Sequence, residues 1–320
     1  MAKFKVGIYG MLNNAEHAME ADIFKGADIE IVNPAWKDEA AFLKTLPEID
    51  GLIVLTTEMT REMIMQMNKC KVIVRQGLGV DNLDLKAMQE KSMQAYNVPD
   101  YCVDEVTTHA MTLALMLVRD MTYYMSDIAG GVWNALLAPM SRRASELTFG
   151  LAGFGRMSQI VAAKAKPFFK EIVAYDPYMN KDAAAKLGVK VIDTLDEILK
   201  ISDVLSLHIP LMESTQHMMN EEKLKLMKPS AYLVNTARGG LIDGAALYKA
   251  LKEGWIKGAG LDVMEEEPPS FDDPLFTLKN VIITPHSAWR SDAAGRDIRA
   301  FAAKTMRTAL LEGSAPNRVI

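Results

Sequence analysis

The stretch LTFGLAGFGRMSQIVAAKAK, Leu147 to Lys166, decides the fold. It opens on a short apolar run that reads as a strand and closes on a helical pattern, and Gly150, Gly153 and Gly155 stand where one becomes the other. Glycines there permit a tight turn and close backbone approach to a pyrophosphate, whose charge the N-terminus of the following helix favours. The next apolar run, IVAYDP, ends on Asp176. A carboxylate at that distance accepts hydrogen bonds from ribose hydroxyls and repels a 2′-phosphate, which predicts NAD(H) over its phosphorylated form. The third fingerprint position is Ser158 in place of the usual Gly or Ala, small enough to tighten helix–strand contact only slightly. No GK[ST] follows the glycines, so a P-loop is excluded, and no GxSxG elbow marks a serine hydrolase.

Outward from this segment, short apolar runs alternate with helical-period stretches, the pattern of parallel strands joined by crossover helices. The fold class is α/β. Strands are predicted at 5–9, 29–32, 51–55 and 72–75, and again at 148–152, 172–175, 204–208, 231–235, 260–263 and 281–284. Two groups of strands predict two sheets. Between them a helix is predicted over 103–121, with Val106, Ala110, Leu113, Ala114, Leu117 and Val118 on one face and Asp100, Asp104 and Glu105 near its N-terminal end. The segment 292–311 is again helical in pattern. The predicted organisation is one domain of residues 1–98 and 290–320 with a second, 99–289, inserted into it.

Composition narrows the class of function. The 320 residues are 49% apolar with a mean hydropathy of +0.02, enough for two hydrophobic cores. A net charge of −5 without a Lys/Arg block argues against nucleic-acid binding or a polybasic membrane patch. The apolar stretch Ala110 to Val118 is far shorter than the roughly 18 residues of a membrane span. Cys70 and Cys102 cannot make a disulfide framework, no ligand spacing for a metal is present, and MAKFKVGIYG lacks the order of a secretory signal. A cytoplasmic protein acting on a small molecule is the expectation.

Three residues in the last third each sit just beyond an apolar run: Arg238 in VNTARGG, Glu267 in LDVMEEEPP and His286 in ITPHSAW. Together they have the makings of hydride transfer to a 2-oxo acid. The guanidinium can hold and polarise carboxylate and carbonyl, the imidazole can move the accompanying proton, and the carboxylate can orient the imidazole. Pairing with a carboxylate favours the charged imidazole, so reduction should weaken as pH rises and oxidation as it falls. Each has a plainer alternative: Glu267 closes a run of three acids that could be merely solvated, Arg238 could pair with Asp243, and His286 could be a buried structural histidine. The glycines after Arg238 argue for close approach by a ligand.

Taken in order, these motifs resemble the D-isomer-specific 2-hydroxyacid dehydrogenase family over nearly the whole chain. VRQGLGVDNLDL, Val74 to Leu85, matches its substrate loop. NVPDYCVDEVTTHA matches the entry to its linker helix, and HIPLMESTQHMMN, MKPSAYLVNTARGGLID and GAGLDVMEEEPP match its nucleotide-domain motifs. HSAWRS and NVPDYC resemble the branch that includes the C-terminal-binding-protein type. The resemblance implies a Rossmann nucleotide domain inserted into a smaller flavodoxin-like substrate domain, and a homodimer built around the linker helix. It implies Arg238, Glu267 and His286 as the catalytic set. Cofactor contacts would come from Gly153, Phe154, Gly155, Arg156, Met157, Asp176, His208, Pro210, Thr236, Ala237, Asp262 and His286. Substrate contacts would come from Arg75, Leu78, Gly79, Arg238 and Trp289. The implied activity is hydride exchange between NAD(H) and a small 2-oxo acid, short or apolar in preference to phosphorylated. The alternative on the same scaffold is a dimeric NAD(H)-sensing interaction protein with little turnover.

Overall fold

A computed structural model describes residues 4–10, 17–32 and 38–320. The chain divides into two compact units, one of Met1–Cys102 with Arg290–Ile320 and one of Val103–Trp289. The first crossing lies a few residues beyond the expected Val98-Pro99, because Val98 donates its N–H to Gly77 O and keeps that stretch with the first unit.

In the first unit five parallel strands, β1 (Phe4–Tyr9), β2 (Ile29–Val32), β3 (Gly51–Val54), β4 (Val72–Arg75) and β5 (Gln94–Tyr96), lie in the order β2-β1-β3-β4-β5. This is a flavodoxin-like order. The central strand β3, GLIV, is buried throughout, as a strand covered on both faces must be. On one face Tyr9 stacks on Phe42 above Ile64, Met67 and Met88. The C-terminal helix Asp292–Glu312 covers β3 so closely that a Cβ on Gly51 would lie 2.5 Å from Met306 Sδ. It is tied to the helix Ala18–Phe24 by a bidentate pair from Arg299 to the buried Glu20.

The second unit carries seven parallel strands: β6 (Thr148–Ala152), β7 (Glu171–Tyr175), β8 (Lys190–Val191), β9 (Val204–Leu207), β10 (Tyr232–Asn235), β11 (Gly258–Leu261) and β12 (Val281–Ile283). Their order is β12-β11-β10-β9-β6-β7-β8. Strand order reverses between β6 and β9, and a doubly wound sheet opens a crevice at the carboxyl ends of such a pair. The fingerprint loop leaves β6 at that point and His208 leaves β9 beside it.

The α/β class and all ten strands predicted from sequence appear. β5 and β8, of three and two residues, are additional; edge strands this short carry too little pattern to read. β11 starts two residues earlier than predicted because its GAG lacks branched side chains, yet those glycines let the helix Val103–Val118 approach. A Cβ on Gly260 would be 3.0 Å from Leu113 Cβ. That helix stops at Val118, short of the predicted 121, and a second helix follows over Met121–Ala129. The break is Asp120, at φ +51°, whose buried carboxylate takes Ser141 Oγ at 2.7 Å and Lys257 Nζ at 3.0 Å.

Candidate active site

The turn after β6 is built around Gly153, whose φ of +92° and neighbours both forbid a side chain: a Cβ would lie 2.5 Å from His208 O. Gly155 caps the helix Arg156–Ala165, and a Cβ on it would meet nothing within 4 Å, so open space stands before that helix's N-terminus. Asp176 braces the turn. One carboxylate oxygen accepts from Phe154 N at 2.7 Å and the other from Tyr178 N at 2.7 Å. Both oxygens keep acceptor capacity for hydroxyl groups. Ser158 is fully buried with its Oγ unpartnered in the protein, and Pro167 ends the helix in a turn that seats Phe169 against Phe149.

His208 takes up its place at the end of β9 through its N–H on Ala152 O. Its Nε2 is 2.9 Å from Ser206 Oγ, and burial of the ring pushes its pKa down to about 4. A histidine that is neutral at pH 7 is not a proton donor, which leaves it a wall or a hydrogen-bonding group. Thr236 Oγ1, at the end of β10, is buried without a hydrogen-bond partner in the protein. An orphan hydroxyl at a strand's carboxyl end, a glycine cradle and open space at a helix N-terminus all fit a dinucleotide.

Beyond Thr236 the chain is shaped by Asn235, buried at the last position of β10, whose side chain accepts from Ala237 N at 3.0 Å and donates to Arg238 O at 2.8 Å. It presents Arg238, whose Nη1 donates to Ala237 O. The glycines that follow are closed in by protein neighbours. A Cβ on Gly239 would lie 1.8 Å from Met264 O, and one on Gly240 would lie 3.0 Å from Leu211 Cδ2. The small size of Gly239 lets the Arg238 turn press against the turn that carries Glu267, and that of Gly240 makes room for Leu211.

Glu267 accepts Met264 N–H through Oε1 at 3.0 Å and His286 Nδ1–H through Oε2 at 2.6 Å. Burial alone would raise the Glu267 pKa, but the hydrogen bond and charge of His286, the Met264 N–H and the charge of Arg238 outweigh it and hold it below its ordinary value. The carboxylate therefore stays ionised at neutral pH and fixes the His286 tautomer, leaving Nε2 as the nitrogen for proton transfer. His286 itself sits at φ +49°, its N–H shared between Asp262 O at 2.7 Å and Thr284 O at 3.0 Å. The side chain of Asp262, 1% exposed, sets this loop by accepting from Thr284 Oγ1, Ser287 N and Ala288 N at 2.6, 2.9 and 2.9 Å.

The geometry thus brings Arg238, Glu267 and His286 onto adjoining turns at the carboxyl ends of β10, β11 and β12, in the unit that carries the glycine fingerprint. Residues 111–288 match the model of the D-isomer specific 2-hydroxyacid dehydrogenase NAD binding domain. The chain is 35% identical over 297 residues to a glyoxylate reductase of Thermococcus litoralis, covering 89% of each. The chain belongs to the D-isomer-specific 2-hydroxyacid dehydrogenase family. A D-3-phosphoglycerate dehydrogenase of Methanocaldococcus jannaschii is 39% identical over 296 residues, 91% of this chain, although the chain spans only 55% of that relative's length. Among solved structures, a D-lactate dehydrogenase from Aquifex aeolicus complexed with NAD and lactic acid superposes with a TM-score of 0.84 at 28% identity, over 98% of both chains.

In this NAD-binding oxidoreductase family member, the sequence pattern missed the residues that set up the site. Asn235 could have been noticed as an amide ending an apolar run. Thr284 and His109 could not: His109 Nε2 meets Thr284 Oγ1 at 2.9 Å across 175 residues of chain, linking the helix Val103–Val118 to the His286 loop. The predicted substrate loop lies in the other unit. There Gly77, at φ +145°, makes room for the Arg75 guanidinium, Leu78 is exposed with its carbonyl held by Asn97 Nδ2 at 2.7 Å, and Gly79 is half-buried. Trp289, half-buried, closes the His286 segment. No transmembrane helix and no metal-ligand cluster occurs among the described residues.

Proposed function

We propose that this protein is an NADH-dependent reductase of a small 2-oxo acid, producing the 2-hydroxy acid. The observation that carries it is the bond from His286 Nδ1 to a Glu267 carboxylate held ionised beside the charge of Arg238. The fingerprint turn would hold NADH, which would be the source of the hydride for the substrate's C2. His286 Nε2 gives the proton to the substrate oxygen, and Glu267 stabilises the cation before transfer. Arg238 binds the substrate carboxylate and polarises the carbonyl, where a fixed cation stabilises charge developing on oxygen. Gly153, Phe154, Gly155, Arg156 and Met157 would cradle the pyrophosphate and Asp176 the ribose, with His208, Pro210, Thr236, Ala237 and Asp262 lining the rest. Arg75, Leu78, Gly79 and Trp289 would contribute to substrate selection, and the first unit would be the substrate domain.

Support for a short substrate comes from the glyoxylate reductase relative; the phosphoglycerate dehydrogenase relative favours a phosphorylated one. A homodimer is supported by the bare apolar run after the linker helices, where Trp133, Leu136 and Met140 are about nine-tenths exposed (92%, 90% and 93%). The test is NADH oxidation against glyoxylate, hydroxypyruvate, pyruvate, phenylpyruvate, 4-methylthio-2-oxobutanoate and 3-phosphohydroxypyruvate, with Arg238→Ala as control. Turnover on an unphosphorylated acid, lowered about 100- to 1000-fold in kcat/KM by the substitution, is expected. Turnover confined to 3-phosphohydroxypyruvate overturns the short-substrate assignment. Tight NADH binding with no turnover overturns the reductase.

A further inference from the structure

Beside the Glu267–His286 pair lies a second imidazole–carboxylate pair. His217 Nε2 donates to Glu265 Oε1 at 2.5 Å, across 48 residues of chain. We infer that His217 and Glu265 are positioning residues, a clasp that holds the turn carrying Arg238 against the turn carrying Glu267.

His217 has contacts on both turns. Its backbone N–H donates to Gly240 O at 2.8 Å, and two residues on Met219 N donates to Leu241 O at 3.0 Å, so its main chain is stitched to the segment that begins at Arg238. Its side chain reaches the other turn at Glu265, one residue beyond Met264, whose N–H holds Glu267 Oε1. The two turns already touch through backbone at Gly239, where even a methyl group would collide with Met264 O. Contact at a glycine resists compression and offers little against separation. The His217–Glu265 hydrogen bond supplies the tie in the opposite sense. His217 adopts φ +50° to make it, a left-handed conformation in which a side chain is uncommon and that is maintained where surrounding contacts over-determine it. Surface pairs of this exposure (38% and 42%) add little to global stability. Their leverage here is geometric: catalytic groups misplaced by about 1 Å lose on the order of 100-fold in rate.

The inference rests on Arg238 and Glu267 serving the proposed reductase. The test compares His217→Asn, which tolerates the left-handed backbone but cannot reach Glu265, with Glu265→Ala, the double variant, and His217→Gln as a conservative rescue. Expected are kcat/KM for the 2-oxo acid lowered about tenfold in His217→Asn and in Glu265→Ala, about 1.4 kcal/mol; no further loss in the double variant, as for residues acting through one contact; and near-wild-type kcat/KM in His217→Gln. NADH affinity and thermal midpoint should stay close to wild type. His217→Asn or Glu265→Ala at wild-type kcat/KM, additive losses, or losses that track a fall in midpoint or NADH affinity overturn the clasp. Wild-type protein without turnover would overturn the reductase separately. The clasp is then read by amide hydrogen exchange over 238–241 and 264–267: faster exchange at both segments in Glu265→Ala sustains it, and unchanged exchange overturns it.

Discussion

Gly239 and His286 show how much of the site depends on backbone that side-chain chemistry does not reveal. NTARGG reads from sequence as an arginine beside glycines cleared for a ligand, whereas the clearance is for Met264 and Glu265 of a neighbouring turn. Gly239→Ala must therefore push that turn away, and its chief effect falls on the Glu267–His286 geometry. Steady-state kinetics should show kcat/KM lowered on the order of 100-fold, with NADH binding by fluorescence retained; near-normal turnover would mean that the two turns separate without consequence. The identities of Arg238, Glu267 and His286 were legible because few arrangements place a guanidinium, a carboxylate and an imidazole after successive strands. That Glu265, two residues before Glu267, also pairs with a histidine was not. Glu265 and Glu267 both find histidines, and only the path of the turn, with Met264 N–H on Glu267, sorts them.

At the scale of elements, strands were legible from apolar runs and helices from periodicity, and their ends were decided by contacts far away in sequence. Asp120 ends the linker helix to reach Ser141 and Lys257. Asp203, buried before β9, accepts Thr148 N at 2.9 Å, Arg142 at 2.6 Å and Lys228 at 3.0 Å, so one carboxylate joins the start of β6 to two cations. Burial would raise the Asp203 pKa, but those donors hold it below its usual value. Asp203→Ala leaves the Thr148 N–H without its acceptor and should lower unfolding stability by about 1–3 kcal/mol. Urea titration checks it. Because the residue stands at the end of β9 away from His208, kcat is expected to be unchanged; a large loss of kcat with unchanged stability would show that the sheet transmits strain to the site.

Across the whole molecule each unit carries its own acid-sensitive group. His208 has a pKa of about 4 in the folded chain against about 6.5 for a free imidazole. Between those values the unfolded chain binds the extra proton, so stability falls as pH drops from about 6.5 to about 4. In the first unit Glu20 is opposed by burial but held by His17 and Arg299 at about 2, so its contribution is present above the free glutamate value of about 4.3 and is lost as pH falls toward 2. Thermal midpoints measured down the pH scale should decline first through the His208 window, and His208→Gln should flatten that first decline while leaving the Glu20 step. Identical profiles for the two proteins would show that His208 is not the group responsible. Local order determined the α/β class, the fingerprint turn, the family and the catalytic candidates, since each is written in neighbouring residues whose spacing dictates strand, turn or helix. Tertiary structure alone decided that His208 is neutral, that Asp262 and His109 set the His286 loop, and that Gly239 is closed in by a neighbouring turn. Burial and hydrogen bonding between residues tens to hundreds of positions apart exist only once the chain has folded.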